Sequence, residues 1–139
     1  MRIAFDSSAL AKRYVAEAGT ERVLELCAQA RQVILSVLCI PEIISGLNRL
    51  RREKKLSTRK YRSLKKDLAA DVAQALLVPI SETVLGAAIR ALEGAQLRAL
   101  DALHIATALD SSCDLFVSAD TRQCKAARSL GLRVEQIAP

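Results

Sequence analysis

The sequence predicts an α/β fold, with a mainly parallel sheet covered on both faces by helices. Three observations lead there. Short apolar runs alternate with helix-patterned segments along the whole chain. Those runs are apolar throughout rather than at every second residue, as strands buried on both faces require. At 139 residues and 51% hydrophobic, the chain can also bury a real core.

Taken in order, MRIAF reads as a strand, then SALAKRYVAEAG and TERVLELCAQAR as helices punctuated by Gly19. VILSVL is a β-branched strand. PEIISGLNRLRREKK begins on Pro41, well placed in a first helical turn, and keeps Ile43, Ile44, Leu47 and Leu50 on one face. Ser57 caps the next helix, whose apolar side is Tyr61, Leu64, Leu68 and Val72. ALLVPI is a third strand, and Ser81 caps the helix SETVLGAAIRALEG. LDALHIATALDSS is a helix, DLFVS a fourth strand, TRQCKAARSLG a helix ended by Gly131, and LRVEQI the last strand. No repeat, linker or compositional boundary interrupts this order, so residues 1–139 are expected to form one domain.

Composition narrows the function classes. With no Trp, two Phe and two Tyr, the core must be aliphatic. The longest apolar stretch, VILSVLCIPEII, is broken by Pro41 and Glu42 and falls short of the ~20 residues a membrane helix needs. The first residues, with Arg2 and then Asp6, do not resemble a secretory signal. Cys27, Cys39, Cys113 and Cys124 lack CxxC or zinc-ligand spacing and sit in apolar or helical contexts. A reduced, cytoplasmic location is the simplest expectation.

The net charge of +6 is unevenly spread. Arg49, Arg51, Arg52, Lys54, Lys55, Arg59, Lys60, Arg62, Lys65 and Lys66 face a single acid, Glu53. That segment therefore carries +9 and leaves the rest of the chain at −3. Such a patch suits a polyanion partner, although a solvated helical hairpin would look the same from charge alone.

In parallel sheets the working crevice lies beyond the carboxyl ends of the strands. Asp6 ends the first strand, and Asp120 follows DLFVS directly in VSAD. Glu42 comes soon after VILSVL, in the first turn of its helix, and Asp101 opens the helix of the second half. Taken singly, each acid reads as an N-cap or a first-turn acid, worth ~0.3–1 kcal/mol. Together they would repel in a shared crevice and rise in pKa unless a cation neutralised them. Oxygen-only ligands of high charge select Mg²⁺ or Mn²⁺ over zinc, and such ions support phosphodiester hydrolysis. Ser8 and Ser118, near these acids, are candidates to hydrogen-bond the carboxylates or a metal-bound water. His104 lies about one helical turn beyond Asp101 and can reach the crevice. A packed or hydrogen-bonded helix residue is the favoured reading for it. One histidine excludes a two-histidine ribonuclease mechanism, and there is no Gly-rich phosphate loop.

IAFDSSAL, IPEIISGL, LRALDALHIATAL and LFVSADTRQCKAARSLGLRV, in this order, resemble the four blocks of PIN-domain ribonucleases, and among these the VapC-type toxins of toxin–antitoxin pairs. The resemblance spans nearly the whole chain. It implies an α/β/α sandwich with a central parallel sheet and a projecting basic helical pair, here about residues 43–70. It implies a Mg²⁺- or Mn²⁺-dependent endoribonuclease whose catalytic and metal-binding acids are Asp6, Glu42, Asp101 and Asp120, with Ser8 and Ser118 behind them. It also implies a homodimer and a cognate antitoxin whose C-terminal segment occupies the acidic crevice or a groove beside it. The basic residues Arg49, Arg51, Arg52, Lys54, Lys55, Arg59 and Lys60 suit contact with the RNA backbone. The stripe Tyr61, Leu64 and Leu68 is expected to pack the hairpin together rather than grip a partner.

Other classes fit less well. A non-catalytic nucleic-acid-binding regulator would use the basic arm and leave the acids as caps, binding with steep salt dependence and no metal. A PIN nuclease of RNA processing is the alternative within the family. An aspartyl phosphatase would need an acid two residues after Asp6, where Ser8 stands. A phosphoacceptor receiver domain would need an acid pair after the first strand and a lysine after the fourth.

Overall fold

The computed structural model describes residues 1–139. Five parallel strands form one sheet: β1 Arg2–Phe5, β2 Gln32–Ser36, β3 Leu76–Val78, β4 Leu115–Ser118 and β5 Val134–Gln136, in the order β3-β2-β1-β4-β5. Seven α-helices flank it: α1 Ser7–Leu10, α2 Thr20–Gln29, α3 Cys39–Arg52, α4 Thr58–Gln74, α5 Glu82–Gly94, α6 Ala99–Asp110 and α7 Thr121–Ser129. No helix is long and apolar enough to cross a membrane.

The fully apolar strands have the consequence expected of them, because both faces are buried. Ile3, Phe5, Leu35, Leu115 and Val117 point to a layer shared with α1–α4. Their neighbours Ala4, Ile34 and Phe116 point to the opposite layer, with α5, α6 and α7. Strand alternation thus divides one apolar run between two cores. The second layer is rich in alanine (Ala87, Ala88, Ala91, Ala102, Ala106). Small side chains there bring α5 and α6 close together.

The basic helical pair is rooted in the first core. Tyr61, Leu64 and Leu68 are buried in the same cluster as Ile43, Leu47, Leu10 and Tyr14. At the far end of α4, Asp71 takes a bidentate contact from Arg13 at 2.7 and 3.1 Å and a hydrogen bond from the Tyr14 hydroxyl at 2.7 Å. So the stripe packs the hairpin, and also fastens it to the body.

The segment after Asp6 departs from expectation. The helical pattern of SALAKRYVAEAG gives only α1 and a 3₁₀ turn over Ala11–Arg13. The break coincides with a turn built around one side chain. Lys12 is buried, and its Nζ reaches the Ala18 carbonyl at 2.9 Å and Glu17 at 3.2 Å. The chain therefore folds back over its own lysine, and Gly19 turns it at φ +90°, where an added Cβ would lie 2.4 Å from Ile137 Cγ2. Two boundaries also shift. α3 starts at Cys39, so Pro41 is its third residue, where the first-turn N–H it lacks has no intrahelical partner anyway. α7 ends at Ser129, two residues before Gly131, which adopts φ +94° while its N–H bonds the Arg128 carbonyl.

Candidate active site

The strand order creates the site. From β1 the chain runs outward through β2 to the edge strand β3, then returns to lay β4 on the other side of β1. The order reverses between β1 and β4, and the crevice of such a sheet opens there, beyond the carboxyl ends. Phe5 pairs with Val117, so the next residue on each strand, Asp6 and Ser118, stand side by side over that edge.

Asp6 is held by three donors. Ser118 Oγ donates to Oδ2 at 2.6 Å, Ser8 Oγ donates at 2.8 and 2.9 Å to the two oxygens, and the Ala9 N–H donates to Oδ1 at 2.9 Å. The carboxylate is only 2% exposed. Burial pushes its pKa up, and the hydrogen bonds from Ser118, Ala9 and Ser8 only partly oppose this. Asp6 is thus both the N-cap of α1 and a desolvated acid at the crevice. Cap and site are the same residue.

Glu42 lies in the first turn of α3 and is half-buried. Ser7 Oγ donates to its Oε1 at 2.8 Å, and His104 Nε2 lies 2.6 Å from the same oxygen. Burial alone would raise Glu42, but the contacts from His104 and Ser7 outweigh it and the pKa is lowered. The consecutive serines after Asp6 therefore divide their work: Ser7 serves Glu42 and Ser8 serves Asp6. His104 is 4% exposed, and its Nδ1 is buried without a partner. It is packed and hydrogen-bonded, as its sequence context suggests, and its partner is one of the four acids.

Asp101 and Asp120 complete the edge. Asp120 caps α7 by accepting from the Gln123 N–H at 2.9 Å, and its own N–H donates to Ser118 Oγ at 3.0 Å. Gln123, buried, donates to the Asp101 carbonyl at 3.0 Å and ties α7 to the start of α6. The exposed Arg98 reaches both acids, with Nε 3.2 Å from Asp101 Oδ2 and Nη2 3.9 Å from Asp120 Oδ2. Sequence reasoning missed Ser7 and Arg98. Ser7 was visible as the polar residue directly after Asp6, whereas nothing in the sequence marks where the Arg98 side chain turns.

No group of three or more His, Cys, Asp or Glu side chains is arranged to hold a metal ion as the side chains stand. Asp101 and Asp120 share a guanidinium instead. The donor chemistry still fits a hard divalent cation: the acids offer only oxygen, Asp6 is desolvated, and two of them already converge on one positive charge. Thiolate chemistry is a poor alternative, since burial pushes the nearby Cys39 thiol up to about 12.

The basic arm has a different character. Arg49, Arg52, Lys54, Lys55, Arg59 and Lys60 are exposed. Arg51 is the exception among the cations assigned to RNA. It stacks 4.6 Å over the Tyr61 ring and donates to Asn48 at 2.7 Å, so part of its role is internal.

Fold and site together define an α/β/α protein with acids from several elements near the carboxyl edge of a parallel sheet, around its switch point. The chain belongs to the PIN domain family, whose model matches residues 3–129. Its fold is similar to that of a toxin–antitoxin complex from Klebsiella pneumoniae, at 15% identity and a TM-score of 0.71, covering 96% of each chain. It is also similar to FitAcB from Neisseria gonorrhoeae, at 22% identity and a TM-score of 0.70, covering 95% of each chain. A third is VapC20 of Mycobacterium tuberculosis, described as a sarcin–ricin loop cleaving toxin, at 17% identity and a TM-score of 0.68, covering 89% of this chain and 94% of that one. No curated protein sequence matches the chain.

Proposed function

We propose that this protein is a divalent-metal-dependent endoribonuclease, acting as the toxin of a toxin–antitoxin pair. The observation that carries the reading is the crevice itself. Four acids from separate elements stand near the carboxyl edge of the sheet around its switch point, one of them almost fully buried with its pKa raised, and the Arg98 guanidinium lies against two of them. Asp6, Glu42, Asp101 and Asp120 would hold Mg²⁺ or Mn²⁺. An ion bound there supplies Lewis acidity toward phosphate and charge neutralisation.

The chain's own residues set the geometry. Ser8 and Ser118 fix Asp6, Ser7 and His104 fix Glu42, and the Gln123 N–H fixes Asp120. Held this way, Asp6 and Glu42 are oriented in advance, whereas Asp101 and Asp120 would turn from Arg98 to a bound ion. Hydrolysis would proceed in line, with the 3′ oxygen leaving. The arm cations Arg49, Arg52, Lys54, Lys55, Arg59 and Lys60 hold the RNA backbone without reading sequence.

Partners follow from the same reading. A cognate antitoxin would cover the acid crevice, in keeping with the toxin–antitoxin complexes that share this fold. Leu85, Ile89 and Leu92 form an exposed apolar stripe along α5, the kind of face a homodimer would bury. We place the protein in the cytoplasm, where its four free thiols stay reduced. A second reading, a non-catalytic nucleic-acid binder, draws on Arg98, which neutralises Asp101 and Asp120 without any metal.

Purified protein incubated with total RNA in Mg²⁺ or Mn²⁺ separates the two. Discrete cleavage, lost in EDTA and in Asp6→Asn, is the expected result. Asparagine can still cap α1, so the variant remains folded. Absence of cleavage, with salt-sensitive binding by both proteins, would replace the enzyme by the binder.

A further inference from the structure

Opposite the basic arm lies a groove of about 640 Å³, between α7 and the α5–α6 connection. Gly94 and Gln96 line one wall, and Thr121, Arg122, Lys125 and Ser129 the other. We propose that this groove is the track for the RNA strand leading away from the acid edge, with Arg122 and Lys125 on its phosphates. The inference rests on the nuclease reading above and names where that substrate runs.

Both walls begin at the site. Thr121 follows Asp120 directly, and Gln96 stands two residues before Arg98, whose guanidinium reaches Asp101 and Asp120. A strand placed at the crevice therefore meets this groove next. The lining is polar and cationic, with only two hydrophobic residues and no aromatic ring or acid. That composition suits a sugar–phosphate backbone, and it offers no platform for stacking bases.

Charge makes the same assignment. α7 carries Arg122, Lys125 and Arg128 and no acid. Arg122 and Lys125 are exposed and join none of the protein's ion pairs, unlike Arg13, Arg22 and Arg98. Neither has a carboxylate partner. Spaced i, i+3 on one helix face, their Cβ atoms sit about 5–6 Å apart, comparable with the step between neighbouring phosphates of one strand. The segment outside the arm is acidic on balance, so this basic stripe is a local exception rather than part of a general positive field.

The test measures binding of a short fluorescent single-stranded RNA in EDTA across a salt series, for the wild type, Arg122→Glu/Lys125→Glu and the milder Arg122→Gln/Lys125→Gln. Both positions are exposed and unpaired, and melting curves check that the variants fold. Losing two phosphate contacts should weaken binding about tenfold or more in the charge-reversed protein and lower the slope of log K against log salt by about 1.4. The neutral variant loses the same two contacts, so its slope should fall by about as much, with a smaller loss of affinity. Unchanged affinity and slope, with RNA cleavage by the wild type intact, would overturn the track and leave the nuclease standing; an acidic protein segment as the groove's true occupant would give that result. If the wild type neither binds nor cleaves RNA, the nuclease reading fails and takes the track with it.

Discussion

The acid edge and the basic arm are both charged surfaces, yet they are built on opposite principles. At the edge, Asp6 accepts from Ser8, Ser118 and the Ala9 N–H, and Glu42 is gripped by Ser7 and His104. On the arm, Arg49, Arg52, Lys54, Lys55, Arg59 and Lys60 reach into solvent. The difference suits the tasks proposed for the two regions. Chemistry at one phosphorus requires carboxylates held to fractions of an ångström, with their desolvation sustained by the rest of the fold. Holding a flexible polyanion requires only charge density, and mobile side chains supply it.

If that contrast is right, substitutions should cost very different amounts in the two regions. The largest effect is expected at His104. His104→Asn removes one of the two side chains that orient Glu42, and should weaken Mn²⁺ binding about 10–100-fold, as loss of an orienting partner usually does. Electron paramagnetic resonance of free Mn²⁺ reads this directly, without reference to cleavage. Affinity equal to wild type would mean that Glu42 is not oriented by its neighbours, and the contrast would collapse.

An intermediate effect is expected where the arm meets the body. Asp71 is partly buried, which alone would raise its pKa, but Arg13 and Tyr14 outweigh this and hold it below 3.8. Its ionised form therefore stabilises the fold fully above pH 3.8, and that contribution is lost as the pH falls below it. Asp71→Ala should cost about 2 kcal/mol at pH 7, since a charged hydrogen-bond partner is removed from a bidentate contact and from a tyrosine hydroxyl. Urea denaturation at pH 7 and again at progressively lower pH checks it. A gap between variant and wild type that fails to shrink in acid would show that the charge is not what anchors the arm.

The smallest effect belongs to the arm tip. Arg59→Ala/Lys60→Ala should lower RNA affinity only a few-fold at moderate salt, uniformly across RNA sequences, with the salt slope reduced by about 1.4. Loss of affinity for one RNA sequence and not another would mean that the arm reads bases, against the contrast drawn above.

Much of this was legible in the chain, for identifiable reasons. Strands apolar at every position gave the parallel sheet, and the carboxyl-end rule placed Asp6 and Asp120 on one edge before any coordinates. Ser8 and Ser118 read as hydrogen-bonding partners of the acids because each lies two residues from one, Asp6 and Asp120; that Ser118 donates to Asp6 comes from the β1–β4 register. What escaped depended on side-chain direction and tertiary contact. The helical pattern after Asp6 gives no warning that Lys12 will be buried under Ala18 and Glu17. Arg98, on a connection between helices, reads as one more surface cation until α6 and α7 bring Asp101 and Asp120 to it. His104 was rightly expected to be packed, but nothing local reveals that α3 presents Glu42 to it. The groove along α7 was invisible for the same reason: two of its cations are obvious in sequence, while its other wall comes from residues more than twenty positions earlier.

The pairing of Phe5 with Val117 has a genetic consequence. Because neighbouring residues of a strand face opposite sides of the sheet, losing or gaining a single codon within β4 would turn Ser118 away from Asp6 and drive Phe116 into the wrong layer. Point changes along this strand can be graded in severity, from conservative to disabling. Single-residue indels have no mild version, and a reading-frame-preserving deletion there should behave as a null allele.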